Sequence, residues 1–422
     1  MERDAGTLDA AALAAQTVEE IVVGTVRDVH GAVAGRIHGI NDRLNGGGPT
    51  VGHRLHDGIA KVVYTGVSGG FRAGVKGLTL ASRAGLGRDL EESPRGRFVR
   101  AAVNGLIGDR LRDEGSPFAF DMGVRVRGRD IPLDRDGIST AFAGGSDKVV
   151  VFIHGLSENE DYWRRPARPR TPERRETPQR RSYGERLEAD LGWTPVYVRV
   201  NTGLPIAENG VALAALLGRL TDGWPVDVRR LALVGHSMGG LITRAACAVA
   251  TDAPRPWTDR VTDVVTLGAP HLGAPLERVV TRGVARMGRL PEMAPFGRIL
   301  EYRSVGILDL RHGLARDVQN LPNARYRLVA ATLTRSPRSV TASTIGDYLV
   351  PYDSALGRRR NGEEMFPGAE TLHVPSADHF DLLNHDAIYA ALREWLHDRS
   401  DRPTQDQAND PAQTHAQEAT SA

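Results

Sequence analysis

The sequence predicts an α/β protein, with a mostly parallel central sheet flanked by helices. Three observations carry that expectation. From about residue 118 to 398, short β-rich runs alternate with helical stretches, as in a parallel sheet joined by crossover helices. Runs such as "KVVVFIHGL" (Lys148–Leu156) are almost continuously apolar, as strands covered on both faces are. Finally, "LALVGHSMGGLITRAA" (Leu231–Ala246) sets one serine between two glycines where an apolar run gives way to a helix former.

The 422 residues allow one large domain and an extra module. Hydrophobic content of 41% and charged content of 25% are ordinary for a globular chain with a sizeable core. The net charge of +2 gives no reason to expect nucleic acid or an acidic partner. Lysine occurs only at Lys61, Lys76 and Lys148; the other basic residues are arginine. A single cysteine, Cys247, excludes an intramolecular disulfide and a cysteine metal cluster, and reads as a buried thiol. The first residues lack the basic and apolar regions of a secretory signal, and no uncharged apolar run is long enough to span a membrane. The expected location is cytoplasmic, with peripheral attachment at a membrane or lipid surface as the alternative.

Residues 1–115 read as a helical module. Val22, Val26, Val29, Val33, Ile37 and Ile40 form one apolar helical stripe. "NGGGPT" (Asn45–Thr50) breaks it, and Leu55, Ile59, Val63, Val67, Phe71, Val75 and Leu78 form a second. Glycines recur every fourth residue on both stripes (Gly31, Gly35, Gly39; Gly66, Gly70, Gly74), which suits close helix–helix approach. Such a hairpin would pack on the core or another subunit, or lie on a lipid surface. The oligomeric state is left open. A third helix is expected around Phe98–Leu111.

Residues 118–398 form the predicted α/β core. "MGVRVRGRDIPL" (Met122–Leu133) reads as an antiparallel hairpin. Strands are expected at Lys148–Leu156, Thr194–Asn201, Leu231–Ser237, Val261–Gly273, Ala324–Leu333 and Ala369–Pro375, with a helix over Gly210–Thr221. Two interruptions stand out. Arg164–Arg181 is a Pro/Arg-rich insert, read as a solvated loop or as a contact for anionic head groups. About Leu276–Asn323, the spacing of Val280, Val284, Met287, Leu290, Met293 and Phe296 suggests a helical lid over the site, or an ordinary excursion packed on the core. Residues 399–422 are polar and expected to be disordered.

A serine hydroxyl becomes a nucleophile only when a base takes its proton. Gly-x-Ser-x-Gly between a strand and a helix lifts the hydroxyl of Ser237 on a sharp turn, with Gly235 and Gly239 relieving the crowding. The following helix points its positive end at any developing charge.

"FIHGL", "GHSMGG", "LGAPHLGAP" and "GDYLVP" resemble the α/β-hydrolase superfamily. Within it they look most like the lipase/esterase branch, including bacterial lipases and GPI inositol-deacylase-like hydrolases. The resemblance covers residues 118–398 and implies the chain order Ser, acid, His. It implies Asp347 as the acid, in the turn after the strand Ala324–Leu333, with Asp353 as rival. It implies His379 as the base, between the last strand and the last helix, with His373 and His385 as rivals. The N–H groups of Met238 and Leu156 would form the oxyanion hole. His271 precedes the acid and is expected to line the pocket or brace its loop; His236 is expected to pack.

The implied activity is serine carboxylester hydrolysis through an acyl-enzyme, with no cofactor or metal and a small-molecule or lipid ester as substrate. Amide or thioester cleavage would use the same groups. From a different class, the N-terminal helices could make the chain a lipid-surface or granule-associated structural protein with an incidental hydrolase core. None of the three candidate catalytic residues is missing, which favours the enzyme.

Overall fold

The computed structural model describes residues 91, 93–116, 118–165, 181–249, 253–273, 305–310, 318–336, 346–347, 349–359 and 361–397. The expected hairpin at 1–90, most of the insert and of the lid segment, and the tail at 399–422 lie outside these residues.

Eight strands make one sheet: β1 (Gly123–Val126), β2 (Arg129–Asp130), β3 (Lys148–Ile153), β4 (Thr194–Arg199), β5 (Arg230–His236), β6 (Val261–Leu267), β7 (Arg325–Thr332) and β8 (Glu370–Pro375). Their order is β2-β1-β4-β3-β5-β6-β7-β8. β1 runs antiparallel to β2 and β4, which is the expected hairpin at one edge; every other pairing is parallel. Parallel strands share one carboxyl-terminal edge, where open α/β sheets bind their ligands.

The helices are α1 (Pro94–Asp113), α2 (Arg135–Ala141), α3 (Tyr183–Leu191), α4 (Ile206–Gly223), α5 (Met238–Cys247), α6 (Val305–Asp309), α7 (Tyr352–Ala355) and α8 (Asp386–Leu396). They cover both faces of the sheet, and the alternation of side chains along each strand decides what each covers. Val149, Val151 and Ile153 of β3 face a core that contains Leu213, Leu217 and Leu220 of α4 and Leu241 of α5. Val150 and Phe152 face the other core, with Tyr183 and Leu187 of α3 and Ile388 and Leu392 of α8. Burying each large apolar side chain stabilises the fold by about 1.5–3 kcal/mol.

Local sequence starts and stops these helices. Ser93 caps α1 by accepting the Gly96 N–H at 3.0 Å, and Pro94 follows at the first turn, where its missing N–H costs nothing. Ser182 and Glu185 form a reciprocal capping box on α3, and Gly192 ends that helix in the left-handed region (φ 69°).

The third helix expected from sequence is α1, and it packs on the sheet's carboxyl-terminal edge. Gly105 approaches Ser157, and Gly108 approaches Asn201. A buried ion network fastens the same region. Glu160 takes Arg199 Nη2 at 2.7 Å and Arg125 Nε at 3.2 Å. Glu91 takes Arg125 Nη2 at 2.6 Å and Arg100 Nη1 at 2.9 Å, and it also pairs with Arg199. Burial alone would raise the pKa of both carboxyls, but the arginines hold them below the ordinary value. Among the described residues, no helix is long and apolar enough to cross a membrane.

Candidate active site

Ser237 follows the last residue of β5 and precedes the first of α5. Its backbone has φ 51° and ψ −122°, a conformation that costs of order 1–3 kcal/mol outside glycine. The surroundings hold it there. Its N–H donates to the Leu267 carbonyl at 2.9 Å, and its own carbonyl accepts from Gly240 at 3.0 Å. A Cβ at Gly239 would lie 2.3 Å from the Ile153 carbonyl oxygen, and one at Gly235 would lie 2.6 Å from the Gly240 nitrogen. Strand and helix therefore touch through backbone, and only glycine fits at either contact. This is the sharp turn expected from the spacing of the glycines.

The acid and the imidazole arrive on two other loops at the same edge. Asp347 is 1% exposed, in the turn after β7. Its Oδ1 accepts the N–H groups of Leu349 (3.0 Å) and Val350 (2.8 Å), which leaves Oδ2 directed at His379. His379 is 2% exposed and opens a short 3₁₀ helix, His379–Leu383, capped by Asp378. Its Nδ1 lies 2.8 Å from Asp347 Oδ2, and its backbone N–H donates to the Asp347 carbonyl at 3.0 Å. Nδ1 therefore carries a proton and Nε2 has the free lone pair. Burial alone would lower the His379 pKa, but the charge and hydrogen bond of Asp347, with Glu158 and Asp378 beyond, bring it above the ordinary value.

Several interactions join this pair to the serine turn. A Cβ on Gly268, the residue after β6, would lie 3.3 Å from both Asp347 Oδ2 and His379 Cε1. The residue before it, Leu267, accepts the Ser237 N–H. The His379 carbonyl lies 3.1 Å from His236 Nε2, next to the serine in sequence. On the opposite side, a Cβ on Gly155 would lie 2.9 Å from the Ser237 Cβ.

Three backbone N–H groups brace the turn after β3. Gly155 N–H donates to Glu158 Oε2 (2.7 Å), Ser157 N–H to Thr202 Oγ1 (3.0 Å), and Glu158 N–H to the Gly155 carbonyl (3.2 Å). Among the described residues, the Leu156 N–H is the one in this turn with no acceptor. Met238 is the first residue of α5, so its N–H has no acceptor within the helix. Buried His154 steadies the turn: its Nε2 accepts the Val200 N–H at 3.0 Å, and burial lowers its pKa.

The rival residues are engaged elsewhere. His373 Nε2 meets Thr332 Oγ1 at 2.8 Å. His385 caps α8, accepting the Ala387 N–H at 3.2 Å. Asp353 lies in the first turn of α7, and it is Asp347, not Asp353, whose carboxyl meets a histidine among the described residues. His271 braces its loop: it is 1% exposed, with Nε2 3.1 Å from Thr266 Oγ1 and its ring against Phe366, and burial drives its pKa far down. Cys247 is buried, and burial pushes its pKa up to about 12.

His236 departs from the expectation of simple packing. Its Nδ1 lies 2.9 Å from Oε2 of Glu158, a buried carboxyl that residue pattern alone did not single out. The two are 78 positions apart, and only the pairing of β3 with β5 brings them together. Among the described residues, no group of three or more His, Cys, Asp or Glu could hold a metal ion.

Several solved structures are similar to part of this chain. The mature form of a Bacillus licheniformis lipase is 19% identical, covering 60% of this chain and 92% of its own, with a TM-score of 0.41. An esterase from Pyrococcus furiosus is 17% identical, covering 60% and 82%, with a TM-score of 0.37. A thermophilic esterase from Thermogutta terrifontis, solved with malate bound, is 14% identical, covering 60% and 90%, with a TM-score of 0.34. No curated protein matches the sequence. Residues 150–392, more than half of the chain, match the model of the alpha/beta hydrolase family. That stretch runs from β3 to α8 and includes the serine turn, the acid turn and the histidine loop, and the chain therefore belongs to the alpha/beta hydrolase family.

Proposed function

We propose that the chain is a serine carboxylester hydrolase of lipase/esterase type, with Ser237 as nucleophile, His379 as base and Asp347 as the acid that orients it. The observation that carries this is the 2.8 Å contact between His379 Nδ1 and Asp347 Oδ2, beside a serine held at φ 51°. The contact keeps the proton on Nδ1, so Nε2 is free to take the Ser237 proton. Attack on the ester carbonyl would place negative charge near the N–H groups of Leu156 and Met238, which already stand without local acceptors. Proton return from His379 would release the alcohol, and water would then cleave the acyl-enzyme by the same route in reverse. A lipidic acyl chain is the substrate suggested by the apolar residues between 276 and 323.

A fluorophosphonate probe should label the wild type and fail to label Ser237→Ala. Activity on p-nitrophenyl esters of rising acyl length should disappear in the same variant. Labelling that survived in Ser237→Ala would refute the assignment, and activity confined to acetyl esters would refute the lipidic preference. Peripheral lipid attachment is assigned to the N-terminal module, residues 1–115, and within it to residues 1–90, which carry both apolar stripes. Deleting them leaves α1 and its ion pairs in place and should abolish co-sedimentation with vesicles while sparing hydrolysis.

A further inference from the structure

A second acid–imidazole pair lies beneath the first. His236 is fully buried, and Glu158 is 3% exposed. The imidazole stands between two acceptors. On one side, Nδ1 is 2.9 Å from Glu158 Oε2, which also takes the Gly155 N–H at 2.7 Å. On the other, Nε2 is 3.1 Å from the backbone carbonyl of His379. A carbonyl oxygen cannot donate, so the Nε2 contact is a hydrogen bond only if Nε2 carries a proton. A carboxylate cannot donate either, so the Nδ1 contact also needs a proton on nitrogen.

We infer that His236 is held as an imidazolium by the Glu158 carboxylate, and that this buried ion pair is a positioning device for the His379 backbone, the Ser237 turn and the Gly155–Leu156 turn. Its position explains why three loops meet in one register. Glu158 grips the turn after β3 through Gly155. His236 is the residue before Ser237. The second imidazolium proton binds the carbonyl of His379, whose N–H is already tied to Asp347.

The proton has one consistent location. Burial alone would raise the Glu158 pKa, but the charge and hydrogen bond of His236, the Gly155 N–H and His154 hold it below the ordinary carboxyl value. Oε2 faces two N–H donors, Gly155 at 2.7 Å and the ring at Nδ1 at 2.9 Å, the arrangement of a carboxylate oxygen, which puts the proton on the ring. The titratable groups around the ring are Glu158 and His379, with His154 beside the former and Asp347 and Asp378 beside the latter. The rings of His236 and His379 lie 4.7 Å apart.

Replacing Glu158 by Gln preserves shape but removes the charge that keeps two protons on the ring. The Gly155 N–H, which Oε2 accepts at 2.7 Å, holds the amide oxygen of Glu158→Gln rather than its NH₂ toward Nδ1, so a neutral His236 keeps its proton on Nδ1, turns the Nε2 lone pair toward the His379 carbonyl, and the histidine loop loses its anchor. The kinetic part of this inference rests on the assignment of Ser237 and His379 as reacting groups; the protonation part does not.

The test uses the full chain labelled with ¹⁵N at histidine. In long-range ¹H–¹⁵N spectra at pH 8, one histidine should be doubly protonated. Its signal should persist in Ser237→Ala, vanish in His236→Asn, and become that of a neutral ring in Glu158→Gln. Glu158→Gln should also lower kcat about 10- to 100-fold while KM changes less than about threefold, as expected when reacting groups are misplaced but the substrate is still held. A neutral His236 in the wild type at pH 8 overturns the inference even if neither variant folds. A charged His236 with unchanged kcat in Glu158→Gln overturns the positioning role. If Ser237→Ala keeps full hydrolysis, the catalytic assignment fails and the protonation result still stands or falls by the spectra.

Discussion

His379 is tied to Asp347 twice: Nδ1 lies 2.8 Å from Oδ2, and the backbone N–H donates to the Asp347 carbonyl at 3.0 Å. The two residues are 32 positions apart, on loops that follow β7 and β8. The double contact fixes both the tautomer and the orientation of the imidazole.

Asp347→Asn removes the charge while keeping the size. An Asn amide can donate to Nδ1, which would move the ring proton to Nε2 and, on the proposed assignment, leave the serine without a base. The expected loss in kcat is on the order of 10³–10⁴-fold. The wild-type His379 pKa lies above its ordinary 6.5, so the acid limb of the kcat/KM profile should lie above pH 6.5. In Asp347→Asn the largest force opposing burial is gone, and the limb of any residual activity should move to lower pH. For stability the sign is set by the raised value: the pair's contribution is complete below the unfolded histidine pKa and is lost as pH rises through the folded one. Kinetic profiles and denaturant melts from pH 5 to 9 check both.

Gly239→Ala should destabilise the fold by about 3 kcal/mol or more. Its Cβ would sit 2.3 Å from the Ile153 carbonyl oxygen and 2.5 Å from that of His154, and both are backbone atoms of the segment that carries the Leu156 turn. Gly144→Ala is the control, because nothing lies within 4 Å of a Cβ there, and its effect should stay within about 0.5 kcal/mol. Ser237→Gly should raise stability by about 1 kcal/mol while abolishing hydrolysis, since glycine accepts φ 51° without strain. Urea midpoints of the three variants decide the matter.

Arg244→Met should leave stability unchanged or raise it by about 1–2 kcal/mol. Arg244 on α5 is 2% exposed, and its Nε and Nη1 have no hydrogen-bond partner among the described residues. Burial lowers its pKa, and its guanidinium lies 5.0 Å over the Phe366 ring. Methionine keeps the apolar stem and the ring contact without the buried charge. A loss greater than about 2 kcal/mol in thermal unfolding would contradict this reading.

The parts legible in the sequence are those set by neighbours along the chain. The strand–glycine–serine–glycine–helix run showed itself because the crowding at that turn lies within five residues, Gly235 to Gly239. The continuous apolar run of β3, ended by a glycine turn, marked a strand covered on both faces. Even the Asp347 turn has a local cause, since its Oδ1 accepts from residues two and three positions on.

Partnership across the sheet was decided only by the fold. His373, His379 and His385 lie in one short stretch, told apart in the sequence only by their place in strand, loop and helix, and Asp353 lies six residues from Asp347. What separates them is the acceptor or donor each meets after β7 and β8 pair and the loops close: Thr332 Oγ1 for His373, the Asp347 carboxyl for His379, an N-terminal amide of α8 for His385. The Glu158–His236 pair left no mark in the chain at all. A hydrogen bond needs its groups within about 3 Å, and residues 78 apart reach that distance only when adjacent parallel strands set their registers.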